Sequence, residues 1–233
     1  MKIDYHIFKS ILNAYLARPA GGKHRPTFFD IKSTCPALDL ITRNCTTIRQ
    51  EFEQIMARQP RFQRYQDVDP GEAKITYLNP EKNWNVLMLY ILGFKPEANR
   101  RLCPLTCALI DQVPNVIQAF FSILDPAKSV PAHEGPYLGY LRYHLGLHVP
   151  RVNPPKLVVN GQAYVWKEGE AVLFDDSYWH EVVNQSSEYR CVLIIDVLRP
   201  MPTIPSLVNR FVTTVVGRHT YGRKVAKRIQ KAA

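Results

Sequence analysis

The chain has 233 residues, 46% of them hydrophobic, 11% aromatic and 21% charged. That supplies a sizeable core and excludes global disorder. No run approaches the roughly 18 consecutive apolar residues that a membrane span needs; the longest, Val86–Gly93, is strand-sized. The formal charge is +10, yet from Val197 onward there are eight Lys or Arg and no Asp or Glu, which leaves 22 basic against 20 acidic residues before it. The basic character therefore belongs to one terminal segment. Five cysteines (Cys35, Cys45, Cys103, Cys107 and Cys191) form no CxxC pair. They read as free thiols of a reducing compartment rather than a disulfide framework or a thiolate zinc site. The N-terminus lacks a signal-peptide pattern. A cytoplasmic chain is expected, peripheral at the inner face of the membrane at most.

Tyr5–Leu16 places Ile7, Phe8, Ile11, Leu12, Tyr15 and Leu16 on one helical stripe. After an extended Thr27–Ile31, a second helix is expected with Ser33 or Thr34 as N-cap and Pro36 in its first turn. Leu38, Ile41, Cys45, Ile48, Phe52 and Ile55 recur at steps of three and four, giving one face to pack as a flank or lid on a sheet. From Pro60 the rhythm changes. Val86–Leu92 reads as a strand buried on both faces, Pro104–Gln112 as a short helix and Ile117–Leu124 as a strand. Between Leu138 and Leu198 short β-rich runs alternate with turns: Leu157–Val159 and Ala163–Trp166 flank Asn160-Gly161, a tight-hairpin dipeptide, followed by Val172–Phe174 and Cys191–Leu198. These patterns predict a mainly β fold, an antiparallel sandwich or barrel. One domain is expected: a helical flank over 1–60, a β core over 61–200 and a basic helical tail over 201–233.

Of seven histidines, three lie in strand-like sequence of the β-rich half: His133, His144 and His180. His133 and His180 are 47 positions apart, and Arg190 follows His180 by ten. In a barrel such spacing can bring two imidazoles together at the cavity mouth, with the guanidinium pointing inward from the neighbouring strand. Two neutral imidazoles suit a divalent ion such as iron(II), and a fixed guanidinium suits a two-pronged carboxylate. An open-sided metal beside a carboxylate anchor is what an oxygenase using a 2-oxoacid requires.

Phe121-Ser122-Ile123, His133-Glu134-Gly135-Pro136, Leu141-Arg142-Tyr143-His144-Leu145-Gly146-Leu147, Gly169-Glu170, Phe174-Asp175-Asp176-Ser177-Tyr178-Trp179-His180-Glu181-Val182 and Arg190 with Ile195-Asp196-Val197 occur in that order. Together, over about Trp84 to Pro200, they resemble the aspartyl/asparaginyl β-hydroxylase family. The resemblance implies a double-stranded β-helix (jelly-roll) fold and an iron(II)- and 2-oxoglutarate-dependent dioxygenase that consumes O2 and releases succinate and CO2. It implies that His133 and His180 bind iron, that Ser122, His144 and Arg190 hold 2-oxoglutarate, and that Arg142 lines the cavity and contacts cosubstrate or substrate. Trp84 aligns with an aromatic of the pocket wall, where a plain core tryptophan is the competing reading. The position that carries a carboxylate ligand in most enzymes of this chemistry is Gly135, as in the aspartyl branch of the family; lipid A acyl-chain hydroxylases carry an aspartate there. Glu134 points to the opposite strand face, and Asp175 and Asp176 read as structural or distant contributors.

Two substrate classes stay open: an aspartyl or asparaginyl side chain of a peptide or amino acid, favoured by Gly135, and a membrane-lipid acyl chain. Ile204, Leu207, Val208, Phe211, Val212 and Val215 are helically spaced ahead of a basic end. That tail suits an anionic membrane surface, or else an ordinary closing helix packed on the domain with a solvated cationic end. The rival classes are a non-catalytic jelly roll with a vestigial site and a cupin-type isomerase. A nucleic-acid partner is not expected, because the body lacks an interleaved basic and aromatic surface.

Overall fold

A computed structural model describes residues 5–58 and 62–231. The strands are β1 (Phe28–Phe29), β2 (Gln63–Arg64), β3 (Trp84–Ile91), β4 (Val116–Leu124), β5 (Val130–Glu134), β6 (Tyr140–His148), β7 (Lys156–Val159), β8 (Gln162–Val165), β9 (Ala171–Phe174), β10 (Trp179–Val183) and β11 (Arg190–Leu198). The helices are α1 (Tyr5–Ala17), α2 (Ile31–Thr34), α3 (Leu38–Arg43), α4 (Cys45–Ala57), α5 (Tyr65–Val68), α6 (Glu97–Arg100), α7 (Pro104–Gln112), α8 (Thr203–Phe211) and α9 (Arg223–Lys231). A wide, π-type stretch, Val212–Gly222, joins the last two.

Two antiparallel sheets face each other in a jelly roll. The larger has the order β1-β9-β6-β11-β4-β3-β2 and the smaller β5-β10-β7-β8. The period of two along a strand divides the larger sheet's residues cleanly. Phe121, Ile123, Leu141, Tyr143, Leu145, Leu193 and Ile195 turn outward to Leu38, Ile41, Cys45, Ile48, Phe52 and Ile55 of α3 and α4. Trp84, Val86, Phe120, Leu124, Val192 and Ile194 turn inward, toward Leu157, Val159 and Trp166 at the smaller sheet. Burial on both faces is why these strands read as continuous apolar runs. Glu51 of α4 is buried because its carboxylate accepts the N–H groups of Leu105 and Thr106, at 2.8 and 2.7 Å, at the start of α7. An anion at a helix N-terminus thus ties the two outer helices together.

The helix over Pro104–Gln112 and the hairpin at Asn160-Gly161 form as expected, with φ of 48° and 75° at the two turn residues. The single second helix does not form. Asp30, not Ser33 or Thr34, caps α2, its Oδ1 accepting the Ser33 N–H at 2.8 Å. The longer pattern is broken at Asn44, although the six apolar residues still share one buried side. The N-terminal flank is also more than helical, since β1 pairs with β9. Its boundary at residue 60, and the side chains of Ile7 and Phe8, lie outside what is described. The five cysteines are free thiols, four of them buried. Among the described residues no helix is long and apolar enough to cross a membrane.

Candidate active site

The site lies between the sheets, because each of its strands contributes an inward-facing residue. On the smaller sheet β5 and β10 pair so that His133 and His180 are direct partners, and their rings stand 4.1 Å apart between centroids. A bulge follows at once between His180 and Val182, a common device for aiming a side chain beside an active site. Each ring is fixed the same way. His133 Nδ1 donates to the Pro131 carbonyl at 2.8 Å and His180 Nδ1 to the Tyr178 carbonyl at 2.9 Å. That fixes the tautomer and leaves both Nε2 atoms as bare lone pairs. Burial, with the second ring adding to it, depresses the pKa of His133 to about 3, and burial depresses that of His180 to about 4. Both are neutral at physiological pH.

On the larger sheet β11 carries Arg190, only 2% exposed. Its Nη1 donates to Ser122 Oγ at 3.5 Å, its guanidinium lies 4.3 Å from the Trp166 ring, and its Nε has no partner. Among the described residues no carboxylate pairs with it, and burial lowers its pKa to about 10. An unpaired buried cation is costly, and this one lies among polar side chains that also lack full partners. Ser122 Oγ accepts the Trp84 indole N–H at 2.9 Å. His144 on β6 is buried with neither ring nitrogen bonded, stacked on Trp166 at 5.8 Å and edge-on to Phe174 at 5.0 Å. Burial and the Arg190 charge hold it well below the ordinary histidine range.

Arg142, expected to line the cavity and contact cosubstrate or substrate, is held in an ion-pair cluster. Its Nε and Nη2 donate to the two Asp196 oxygens, each at 2.8 Å, and its Nη1 lies 3.1 Å from Asp176 Oδ2. This guanidinium is occupied in holding Asp176, whose Oδ2 also accepts Tyr140 OH at 2.7 Å. Trp84 sits at the Arg190 end, its ring tilted against Tyr65 at 4.4 Å between centroids and its indole N–H bonded to Ser122.

The Gly135 position has a steric explanation. A β-carbon there would stand 2.7 Å from both Cγ and Oδ1 of Asp176 and 2.8 Å from its carbonyl oxygen, which accepts the Gly135 N–H at 2.7 Å. The Asp176 carboxylate thus fills the space beside His133 that a side chain at 135 would need. Its Oδ1 is buried without a partner. Asp175, next to it, anchors the turn structurally, receiving Arg25 at 2.9 Å and Arg199 at 2.7 Å.

Sequence reasoning missed Trp166, the surface on which both Arg190 and His144 rest, and the local role of Asp176. The tryptophan's place in a hairpin opening on the histidine block was the available signal. Among the described residues no group of three or more His, Cys, Asp or Glu side chains is placed to hold a metal ion.

The jelly roll thus brings two adjacent neutral imidazoles and a buried guanidinium with no carboxylate partner among the described residues into one interior site. Residues 42–200 match the family described as aspartyl/asparaginyl beta-hydroxylase, and the chain belongs to that family of hydroxylases. It is similar to the ornithine lipid ester-linked acyl 2-hydroxylase of Rhizobium tropici, 36% identical over 185 residues, 79% of this chain and 64% of that protein. It is also similar to the human aspartyl/asparaginyl beta-hydroxylase, 33% identical over 128 residues, 53% of this chain and 17% of that protein. The chain spans less than two thirds of the length of either relative. A solved structure of a predicted oxalate decarboxylase from Thermotoga maritima aligns at a TM-score of 0.33 and 17% identity, covering 50% of this chain and 84% of that one.

Proposed function

We propose that this chain is an iron(II)- and 2-oxoglutarate-dependent dioxygenase that hydroxylates an unactivated C–H bond in the acyl chain of a lipid. The observation that carries the reading is the buried Arg190, which has Ser122, Trp166 and His144 around it and no counter-ion among the described residues. The paired Nε2 atoms of His133 and His180 fit iron(II), and the orphaned His144 nitrogens and Arg190 Nε fit a dicarboxylate cosubstrate.

Iron(II), when bound, would supply the activation of dioxygen, coupled to decarboxylation of the 2-oxoacid to succinate and CO2. The chain's own part is positioning. Arg190 pairs with the distal carboxylate, a charge-assisted contact made in a dry pocket. Ser122 and His144 satisfy oxygen atoms of the same molecule, and the Trp166 face under the guanidinium keeps it oriented. His133 and His180 stay unprotonated because they are buried, so metal binding displaces no proton from Nε2. Arg142 and Tyr140 hold the Asp176 carboxylate beside the metal strand. There its free Oδ1 offers a negative charge near a site whose protein ligands are neutral.

The lipid substrate rests on similarity to the rhizobial acyl hydroxylase over 79% of this chain, against 53% for the human relative. An aspartyl or asparaginyl substrate is the second reading, supported by the glycine at 135 and the match to the human protein. The test is anaerobic loading with iron(II) and 2-oxoglutarate, then air, with succinate measured by mass spectrometry. Lipid extracts and Asp- or Asn-containing peptides are then compared for the mass gain of one oxygen atom. Succinate from the wild type, none from His180→Ala and a gain in the lipid fraction are expected; undiminished turnover by His180→Ala would end the iron assignment.

A further inference from the structure

The C-terminal helix is mounted with its amphipathic face reversed. In a surface helix the apolar stripe ordinarily turns to the core. Here α8 turns Asn209, 1% exposed, to the body. Asn209 donates to the Gly139 carbonyl at 2.6 Å and accepts Tyr137 OH at 2.5 Å. Beyond it Thr213 is buried, and Arg218 lies 4.7 Å over the Phe94 ring. The side turned to solvent carries Ile204, Leu207, Phe211 and Val215, exposed by 71%, 62%, 60% and 42%. Steps of three and four place these four on one face. This corrects the ordinary closing-helix reading of the stripe, since these four residues face away from the domain; the buried apolar side chains of the tail, among the described residues, are Val225, Ala226 and Ile229 of α9. Four large apolar side chains at these exposures present on the order of a few hundred Å² of apolar surface, a size that marks an interaction site.

Two further observations select the occupant. The same segment is cationic throughout: Arg210, Arg223, Lys224, Lys227, Arg228 and Lys231 are all exposed, and no acidic residue follows Val197. A second copy presenting the same face would bring like charges together, whereas an anionic surface complements it. The position matters as well. Asn209 of α8 and Asn13 of α1 hold the loop that continues from Gly135, Asn13 accepting the Leu138 N–H at 3.0 Å. Two residues to either side of Asn13, α1 exposes Ile11 and Tyr15.

We infer that this face docks on an anionic phospholipid bilayer, with Ile204, Leu207, Phe211 and Val215 in the headgroup–acyl boundary and the α9 cations at the phosphates. Docking would hold the loop following the His133 strand against the membrane, where an acyl substrate is found. The inference needs neither metal nor cosubstrate, so its failure and failure of the oxygenase reading are separable.

The test is flotation of the full chain, without iron or 2-oxoglutarate, with vesicles of phosphatidylcholine alone or mixed with phosphatidylglycerol. Binding to the mixed vesicles, and at least tenfold weaker binding to the neutral ones or at raised salt, is expected. Leu207→Ser/Phe211→Ser, at positions that need no burial to fold, should weaken binding at least tenfold at unchanged circular dichroism. Lys224→Glu/Lys227→Glu should weaken it through charge alone. Absence of wild-type binding to anionic vesicles, or equal binding by the Ser variant, overturns the inference. So does a wild-type dimer that the Ser variant dissociates while vesicles are ignored, which would assign the face to a second copy.

Discussion

Replacing Arg190 by methionine should make the metal-free, ligand-free protein more stable, which is the reverse of what removing a buried, hydrogen-bonded residue usually does. Arg190 is fully buried without a carboxylate partner among the described residues, and burial lowers its pKa from 12.5 to about 10. At 1.36 kcal/mol per unit that corresponds to about 3 kcal/mol of uncompensated desolvation. The Trp166 ring returns about 1–2 kcal/mol through its contact with the cation. Methionine has similar reach and no charge, so Arg190→Met should stabilise the bare protein by about 1–2 kcal/mol, a rise in Tm of about 2–8 °C at this chain length. The same variant should lose cosubstrate. Saturating 2-oxoglutarate at about 100 times Kd, with manganese(II) as a non-turnover metal, should add about 2.7 kcal/mol to the wild type. The Met variant should show almost none of it, because a charge-assisted pair has gone. Differential scanning fluorimetry reads both effects. A Tm that falls in the bare Met variant, or a 2-oxoglutarate shift that survives in it, would refute the claim that Arg190 is held unpaired for an anion.

His133→Ala and His180→Ala should each abolish both the stabilisation by manganese(II) and substrate-dependent succinate release, with metal retention read by equilibrium dialysis. Gly135→Asp should cost more than about 2 kcal/mol, since its β-carbon would meet the Asp176 carboxylate and carbonyl. Adding Asp176→Ala should restore part of that loss in a double-mutant cycle, and additive effects would show that the two side chains do not compete for one space. Arg142→Ala, by leaving Asp176 and Asp196 buried and uncompensated, should destabilise by about 3–5 kcal/mol in urea unfolding. Acid should weaken the metal-free protein in a defined window. His133, His180 and His144 are all depressed in the fold, so below about pH 6.5 only the unfolded chain takes up those protons. Stability is then full above that pH and declines toward about pH 4; His144→Phe should make the decline shallower, and a flat profile of urea midpoints would contradict the buried, neutral imidazoles.

The β core was legible because period-two alternation and turn chemistry act locally: Asn160-Gly161 can adopt its two left-handed conformations without help from the rest of the chain. The histidine pair and Arg190 were legible for a related reason, since strand parity decides which side chains face the cavity once the fold class is known. Contacts made across the fold were not. Nothing near Asn44 signals a helix break, and a guanidinium two positions from His144 looks free until Asp176 and Asp196 arrive from β-turn and β11 sequence 34 and 54 residues later. Gly135 could be recognised as lacking a ligand, yet the reason, a carboxylate 41 positions on occupying the same volume, is purely three-dimensional. The closing helix shows the limit most sharply. Its stripe was plain in the sequence, but periodicity says only that an apolar face exists, and the direction it turns was set by Asn209 gripping the Gly139 carbonyl.

The assignment of His133, His180 and Arg190 is tested most directly by a crystal structure of the chain grown anaerobically with manganese(II) and 2-oxoglutarate. One metal ion is expected on Nε2 of both His133 and His180, with a cosubstrate carboxylate within hydrogen-bonding distance of Arg190 and the Ser122 hydroxyl. A metal bound elsewhere, or a 2-oxoglutarate density that leaves the Arg190 guanidinium unpaired, would contradict it.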